Sequence, residues 1–66
     1  MKIKLNGEDK EIDPGLSAAR LLEILKITPG TVVVEHNLKI LKKAEHDKTI
    51  LNNNDTVEIV HFVGGG

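Results

Sequence analysis

The residues with the strongest chemical consequence stand together in Phe62-Val63-Gly64-Gly65-Gly66, where an apolar, β-branched run gives way at once to three glycines. Glycine loses more conformational freedom on ordering than any other residue, so a glycine run adds nothing to a core; it supplies backbone thin enough to enter a closely fitted channel. A terminal glycine carboxylate is ionised at neutral pH and is a poor acceptor for nucleophiles. It reacts only after activation. Attack of the carboxylate on the α-phosphorus of ATP, with loss of pyrophosphate, gives an acyl-adenylate whose carbonyl a nucleophile takes with loss of AMP. The magnesium and cationic groups that neutralise the phosphates belong to an activating partner, because this chain offers no phosphate-cradling loop. Gly66 is then the attachment point, and Gly64 and Gly65 are the segment that enters the partner's active site. The alternative is an inert end that nothing engages.

The remaining reactive residue types point to less. His36, His46 and His61 fall on separate segments, with no i, i+4 pair and no cysteine, so no metal site is expected and all three are expected at the surface or at sheet edges. Glu45-His46-Asp47 joins an acid to a base, but it lies in a polar run without a companion nucleophile and is expected to be a solvated loop. Ser17 lacks the flanks of a nucleophile elbow and suits a helix cap instead. No catalytic residue is left, and the chain is expected to serve as a cosubstrate rather than an enzyme.

Composition narrows the classes further. A chain of 66 residues has material for one core only. Nine basic against ten acidic residues give a net charge of -1, and the lysines are scattered, so no polyanion-binding field is expected. Phe62 is the single aromatic residue, which argues against base stacking, and nucleic acid is not an expected partner. The absence of cysteine excludes a disulfide framework, a thiolate zinc site and a thiol nucleophile. No run approaches the roughly 18 apolar residues of a membrane span, nor is there a signal-peptide block, so a cytoplasmic protein without a membrane partner is expected.

The elements that must position the tail follow from periodicity. Lys2 to Asn6 alternates polar and apolar as a strand with Ile3 and Leu5 inward, Asn6-Gly7 suits a tight hairpin, and Lys10-Glu11-Ile12 returns as a second strand stopped by Asp13-Pro14-Gly15. After Ser17, the spacing of Ala18, Leu21, Leu22 and Leu25 predicts a helix to Lys26, closed by Thr28-Pro29-Gly30. Thr31 to Glu35 is β-branched and reads as a strand; Leu38 to Leu41 pairs with it or lies across an edge. The run 42–48 is a loop with at most one helical turn, Thr49 to Leu51 a short extended piece, Asn52 to Asp55 a turn, and Thr56 to Val63 the last strand. Two strands, one helix and two or three further strands match an α+β roll of the β-grasp (ubiquitin-like) type, with a mixed four- to five-stranded sheet and one main helix on one face. The domain is expected to span residues 1–63, with 64–66 a flexible tail.

Alternation along the last strand puts Val57, Ile59, His61 and Val63 on one side and Glu58, Val60 and Phe62 on the other. If Val57 and Ile59 face the helix, the second set is exposed beside the reactive end. Glu58, Val60 and Phe62 are therefore the expected docking residues, with Phe62 as anchor.

Four segments together resemble a known family: Met1-Lys2-Ile3-Lys4-Leu5-Asn6-Gly7, Ser17 to Leu25, Val32-Val33-Val34-Glu35-His36-Asn37, and Asp55 to Gly66, the last being the most specific. The chain is similar to the ThiS family, the sulfur carriers of thiamine thiazole biosynthesis, within a wider β-grasp group that includes molybdopterin-synthase small subunits. The resemblance implies adenylation of Gly66 by an E1-like adenylyltransferase of the ThiF type. It further implies exchange of one terminal oxygen for sulfur from a persulfide-bearing enzyme, and docking of the thiocarboxylate to a thiazole synthase of the ThiG type. No cofactor is expected to bind stably; ATP and magnesium are used by the activating partner. A molybdopterin-type carrier, a ubiquitin-like modifier whose glycine ends on a lysine, and a plain interaction module remain as alternatives. Members often carry Asn-Gly after the third strand, whereas Asn37 here precedes Leu38, so a two-residue turn with positive φ at both centres is not expected there.

Overall fold

The computed structural model describes residues 1–62. The expected tail residues Gly64, Gly65 and Gly66, with Val63 before them, lie outside the described residues.

Strand β1 (Lys2–Leu5) pairs antiparallel with β2 (Glu8–Glu11), and the Leu5–Glu8 pair closes on Asn6 and Gly7. Both turn residues are left-handed, with φ of 49° and 84°, the geometry that Asn-Gly favours. Helix α1 (Ala18–Ile24) opens on Ser17, whose hydroxyl accepts a 3.0 Å hydrogen bond from the Arg20 N–H, as an N-cap does. Ala18, Leu21 and Leu22 are buried, and Leu25 packs against them from the edge of the core. The helix ends earlier than its periodicity predicts. Lys26 turns left-handed at φ 60°, its N–H donates to Glu23 O and that of Ile27 to Leu22 O, and this pair of bonds closes the last turn as a Schellman cap.

Strands β3 (Val32–His36), β4 (Lys39–Leu41) and β5 (Thr56–His61) complete a five-stranded sheet in the order β2-β1-β5-β3-β4. Only β1 and β5 run parallel, so the sheet is mixed, as expected, with β5 at its centre. Leu21 and Leu22 of α1 share one core with Ile3, Val34, Leu51 and Val57. One face of the sheet is thus under the helix.

Two expectations are corrected. The β3–β4 connection is a two-residue turn with positive φ at both centres, 51° at Asn37 and 71° at Leu38. Asn37 is held from outside the hairpin: its N–H donates to Thr56 O, its Oδ1 accepts from the Thr56 N–H, and its Nδ2 donates to Asp55 Oδ1. Those bonds fix the turn, and Leu38 follows although its side chain disfavours that region. His46 is not at the surface but buried, at 4% exposure, because the 3₁₀ turn Lys43–Glu45 directs it inward. Its Nδ1 has no hydrogen-bond partner among the described residues. Thr49 to Leu51 is a short extended piece, as expected: Ile50 makes a single bridge to Ser17 and Leu51 enters the core.

Among the described residues no helix is long and apolar enough to cross a membrane.

Candidate functional site

Every expected docking residue stands on or directly after β5, so the site depends on how that strand is held. Where β1 has ended, the Asn6 side chain takes over its pairing: Oδ1 accepts from the Ile59 N–H at 2.7 Å and Nδ2 donates to Ile59 O at 3.3 Å. On the other side Asn37 grips Thr56 in the same manner, at 2.8 Å. Two turn asparagines therefore fix the register of the central strand.

Asp55 sits just before β5 and anchors its start. Its Oδ2 accepts from His36 Nε2 at 2.6 Å and from the Asn52 N–H at 2.8 Å, and its Oδ1 from Asn37 Nδ2 at 3.1 Å. Burial pushes the Asp55 carboxyl up, but the hydrogen bonds from His36, the Asn52 N–H and Asn37 outweigh it and hold the group below its ordinary value. Glu45 is also lowered, first by the bond from the Lys42 N–H at 2.8 Å, so it caps the 3₁₀ turn. Glu45, His46 and Asp47 form no acid–base apparatus: one caps, one is buried and one is exposed. Among the described residues no three His, Cys, Asp or Glu side chains group as metal ligands.

Val57 and Ile59 enter the core, and the opposite face of β5 carries Glu58, half-buried, and Val60, 55% exposed. Phe62 follows at 58% exposure. Its N–H donates to Thr31 O at 3.0 Å, so pairing with the start of β3 continues one residue beyond β5. Cross-strand register sets Val33 opposite Val60, Glu35 opposite Glu58, and Ile40 opposite Glu35. Phe62, Val33 and Ile40 border a shallow groove of about 280 Å³, with Lys43 and His46 also along it. A further groove of about 330 Å³, between Met1, Ile12, Leu16 and Ile24, touches none of the expected site residues.

The open face thus gathers Glu58, Val60 and Phe62 as the alternation implied, and adds Val33, Glu35 and Ile40, which sequence reasoning did not assign. The signal was present in Val32-Val33-Val34-Glu35, whose alternation puts Val33 and Glu35 on one side; the pairing with β5 was needed to place them beside Glu58 and Val60.

The ThiS family model matches residues 3–66 of the chain. The sulfur carrier protein ThiS of Bacillus subtilis is 35% identical over 65 residues, which cover 97% of this chain and 98% of that protein. A thiazole synthase of Magnetococcus marinus is 38% identical over 66 residues; the whole chain spans only 20% of that protein's length. Among solved structures, the thiamine biosynthesis protein ThiS of Geobacter metallireducens superposes with a TM-score of 0.87 at 33% identity, each chain covered to 100%.

Proposed function

The chain belongs to the ThiS family, and on that premise we propose that it is a sulfur carrier for thiazole formation in thiamine biosynthesis, with the Gly66 carboxylate as the atom group that carries the sulfur. An E1-like adenylyltransferase of the ThiF type converts Gly66 to the acyl-adenylate, using ATP and magnesium bound in its own site. A persulfide-bearing enzyme supplies sulfur: its terminal sulfur attacks the Gly66 carbonyl, AMP leaves, and reductive cleavage of the resulting acyl disulfide by a thiol frees the thiocarboxylate. A thiazole synthase of the ThiG type then receives the sulfur. The Magnetococcus marinus thiazole synthase, part of which resembles this entire chain, supports that last partner.

The observation that carries the reading is the family match, which extends over residues 3–66 and so runs to the end of the triple glycine. The open face of β5 supports it, because the exposed Val60 and Phe62 lead directly into that segment. Lacking side chains, Gly64 to Gly66 fit a narrow channel that a methyl group would obstruct.

Intact-mass measurement after incubation with the adenylyltransferase, ATP and a persulfide donor tests the proposal. A gain equal to one oxygen exchanged for sulfur is expected, and its loss in a variant lacking Gly65 and Gly66. A lysine-linked adduct would indicate a modifier instead, and an unchanged mass a plain interaction module.

A further inference from the structure

Of the chain's five asparagines only Asn6 is followed by glycine; Asn37 precedes Leu38, and Asn52, Asn53 and Asn54 precede Asn53, Asn54 and Asp55. An asparagine amide has a nucleophile in its own chain, because the next backbone nitrogen can reach the side-chain carbonyl carbon and close a five-membered ring. A following side chain crowds that approach, and glycine has none. Asn6 and Gly7 are both exposed, and the space where a Cβ would stand at Gly7 is empty to 4 Å. The Gly7 N–H donates no hydrogen bond among the described residues, so the nucleophile is free. The electrophile is not: Asn6 Oδ1 accepts from the Ile59 N–H at 2.7 Å and Nδ2 donates to Ile59 O at 3.3 Å. The Asn6 N–H also donates to Val57 O at 2.9 Å, so this one residue makes three hydrogen bonds to the central strand.

We propose that Asn6-Gly7 is a site of spontaneous deamidation in this protein, and that its conversion releases β5 from the β1–β2 hairpin. The Gly7 nitrogen loses its proton and bonds to Asn6 Cγ, the Cγ–Nδ2 bond breaks, and the amide nitrogen leaves with a proton as ammonia. Solvent water opens the resulting succinimide at either ring carbonyl. Addition at Cγ restores the main chain with an aspartate side chain, whereas addition at the α-carbonyl routes the main chain through Cγ as isoaspartate. Either product replaces the Nδ2 donor by a carboxylate oxygen, which can only accept and cannot bond Ile59 O. Isoaspartate also inserts one atom into a two-residue turn, which displaces the partners of Val57 and Ile59. The fold gates the first step, because Cγ turns toward the Gly7 nitrogen only after both side-chain bonds to Ile59 open.

The test incubates the full chain at mildly alkaline pH, folded and in guanidinium chloride, and follows it by intact mass and peptide mapping. A mass gain of one amide NH2 exchanged for OH is expected at Asn6 before any other asparagine. It should be about tenfold faster in denaturant, where the two hydrogen bonds no longer hold the amide. Asn6→Gly, which suits the left-handed turn, should lose that early gain. Asn6→Asp, which matches one product, should exchange the Ile59 amide proton about tenfold faster and melt a few degrees lower. Early conversion at Asn37 or at residues 52–54 of the folded chain would overturn the site, and equal Asn6 rates with and without denaturant would overturn its gating. Wild-type Ile59 exchange and Tm, both in Asn6→Asp and in the purified isoaspartate form, would overturn the release of β5.

Discussion

Removal of the Asp55 side chain would be felt furthest from its own position, because one carboxylate joins the turn before β5, the end of β3 and the β3–β4 turn. An ionised carboxylate can only accept hydrogen bonds, so His36 Nε2, the Asn52 N–H and Asn37 Nδ2 all donate to it, and protonation weakens all three. Its folded-state pKa lies below the ordinary value, so its contribution to stability is complete above the ordinary carboxylate range and is lost as pH falls through the lower, folded-state value. We expect urea unfolding midpoints to drop across that acidic window in the wild type and to show a smaller slope there in Asp55→Asn. Asp55→Ala, which strands three donors, should cost on the order of 3 kcal/mol near neutral pH. An unchanged slope in Asp55→Asn would show that the carboxylate is not the responsible group. None of this was legible in the sequence, where Asp55 reads as one residue of an asparagine-rich turn. Its principal partners, His36 and Asn37, are 19 and 18 residues away. By contrast Ser17 as a cap and Asn6-Gly7 as a turn were legible, because in each the residue type itself supplies the local geometry.

The β3–β4 hairpin shows how neighbouring elements can override that local preference. Leu38 lies in left-handed backbone at φ 71° with its side chain 87% exposed, so no packing offsets the steric conflict. A non-glycine residue there costs about 1–2 kcal/mol. The hairpin keeps the conformation because Asn37 is bonded to Thr56 and Asp55, which belong to the segment the hairpin packs against. Leu38→Gly would create the Asn-Gly pair that such turns favour, while adding freedom to the unfolded chain. The balance should stabilise the protein by about 0.5–1 kcal/mol, visible as a rise of a few degrees in Tm. A fall in Tm would mean that Leu38 makes a stabilising contact. The same override explains the end of α1: Lys26 continues the helical pattern in sequence, yet it becomes the left-handed residue of the cap because Ile27 is drawn back toward the core.

At the scale of the whole molecule, the decisive fact is that the sheet has two large faces and the described residues hold one α-helix. At 66 residues, total stability is roughly 3–10 kcal/mol, and nearly all of it must come from the covered face, where Leu21, Leu22, Val57 and Ile3 meet. The open face is then free to keep Val60, Ile40 and Phe62 exposed for another purpose. Phe62→Ala separates the two roles. Because Phe62 is 58% exposed and β5 is held by Asn6 and Asn37, its truncation should change stability by only about 0.5 kcal/mol and leave the circular dichroism spectrum unaltered. Leu22→Ala, within the core, should instead cost about 2–5 kcal/mol, a large share of the total. If the open face docks the carrier, Phe62→Ala should nevertheless weaken binding to both the adenylyltransferase and the thiazole synthase, because the exposed ring is four residues before the reacting Gly66 in sequence and each enzyme must seat that segment. Unchanged affinity for both enzymes, together with an unchanged spectrum, would remove Phe62 as the anchor and shift the interface elsewhere on the domain.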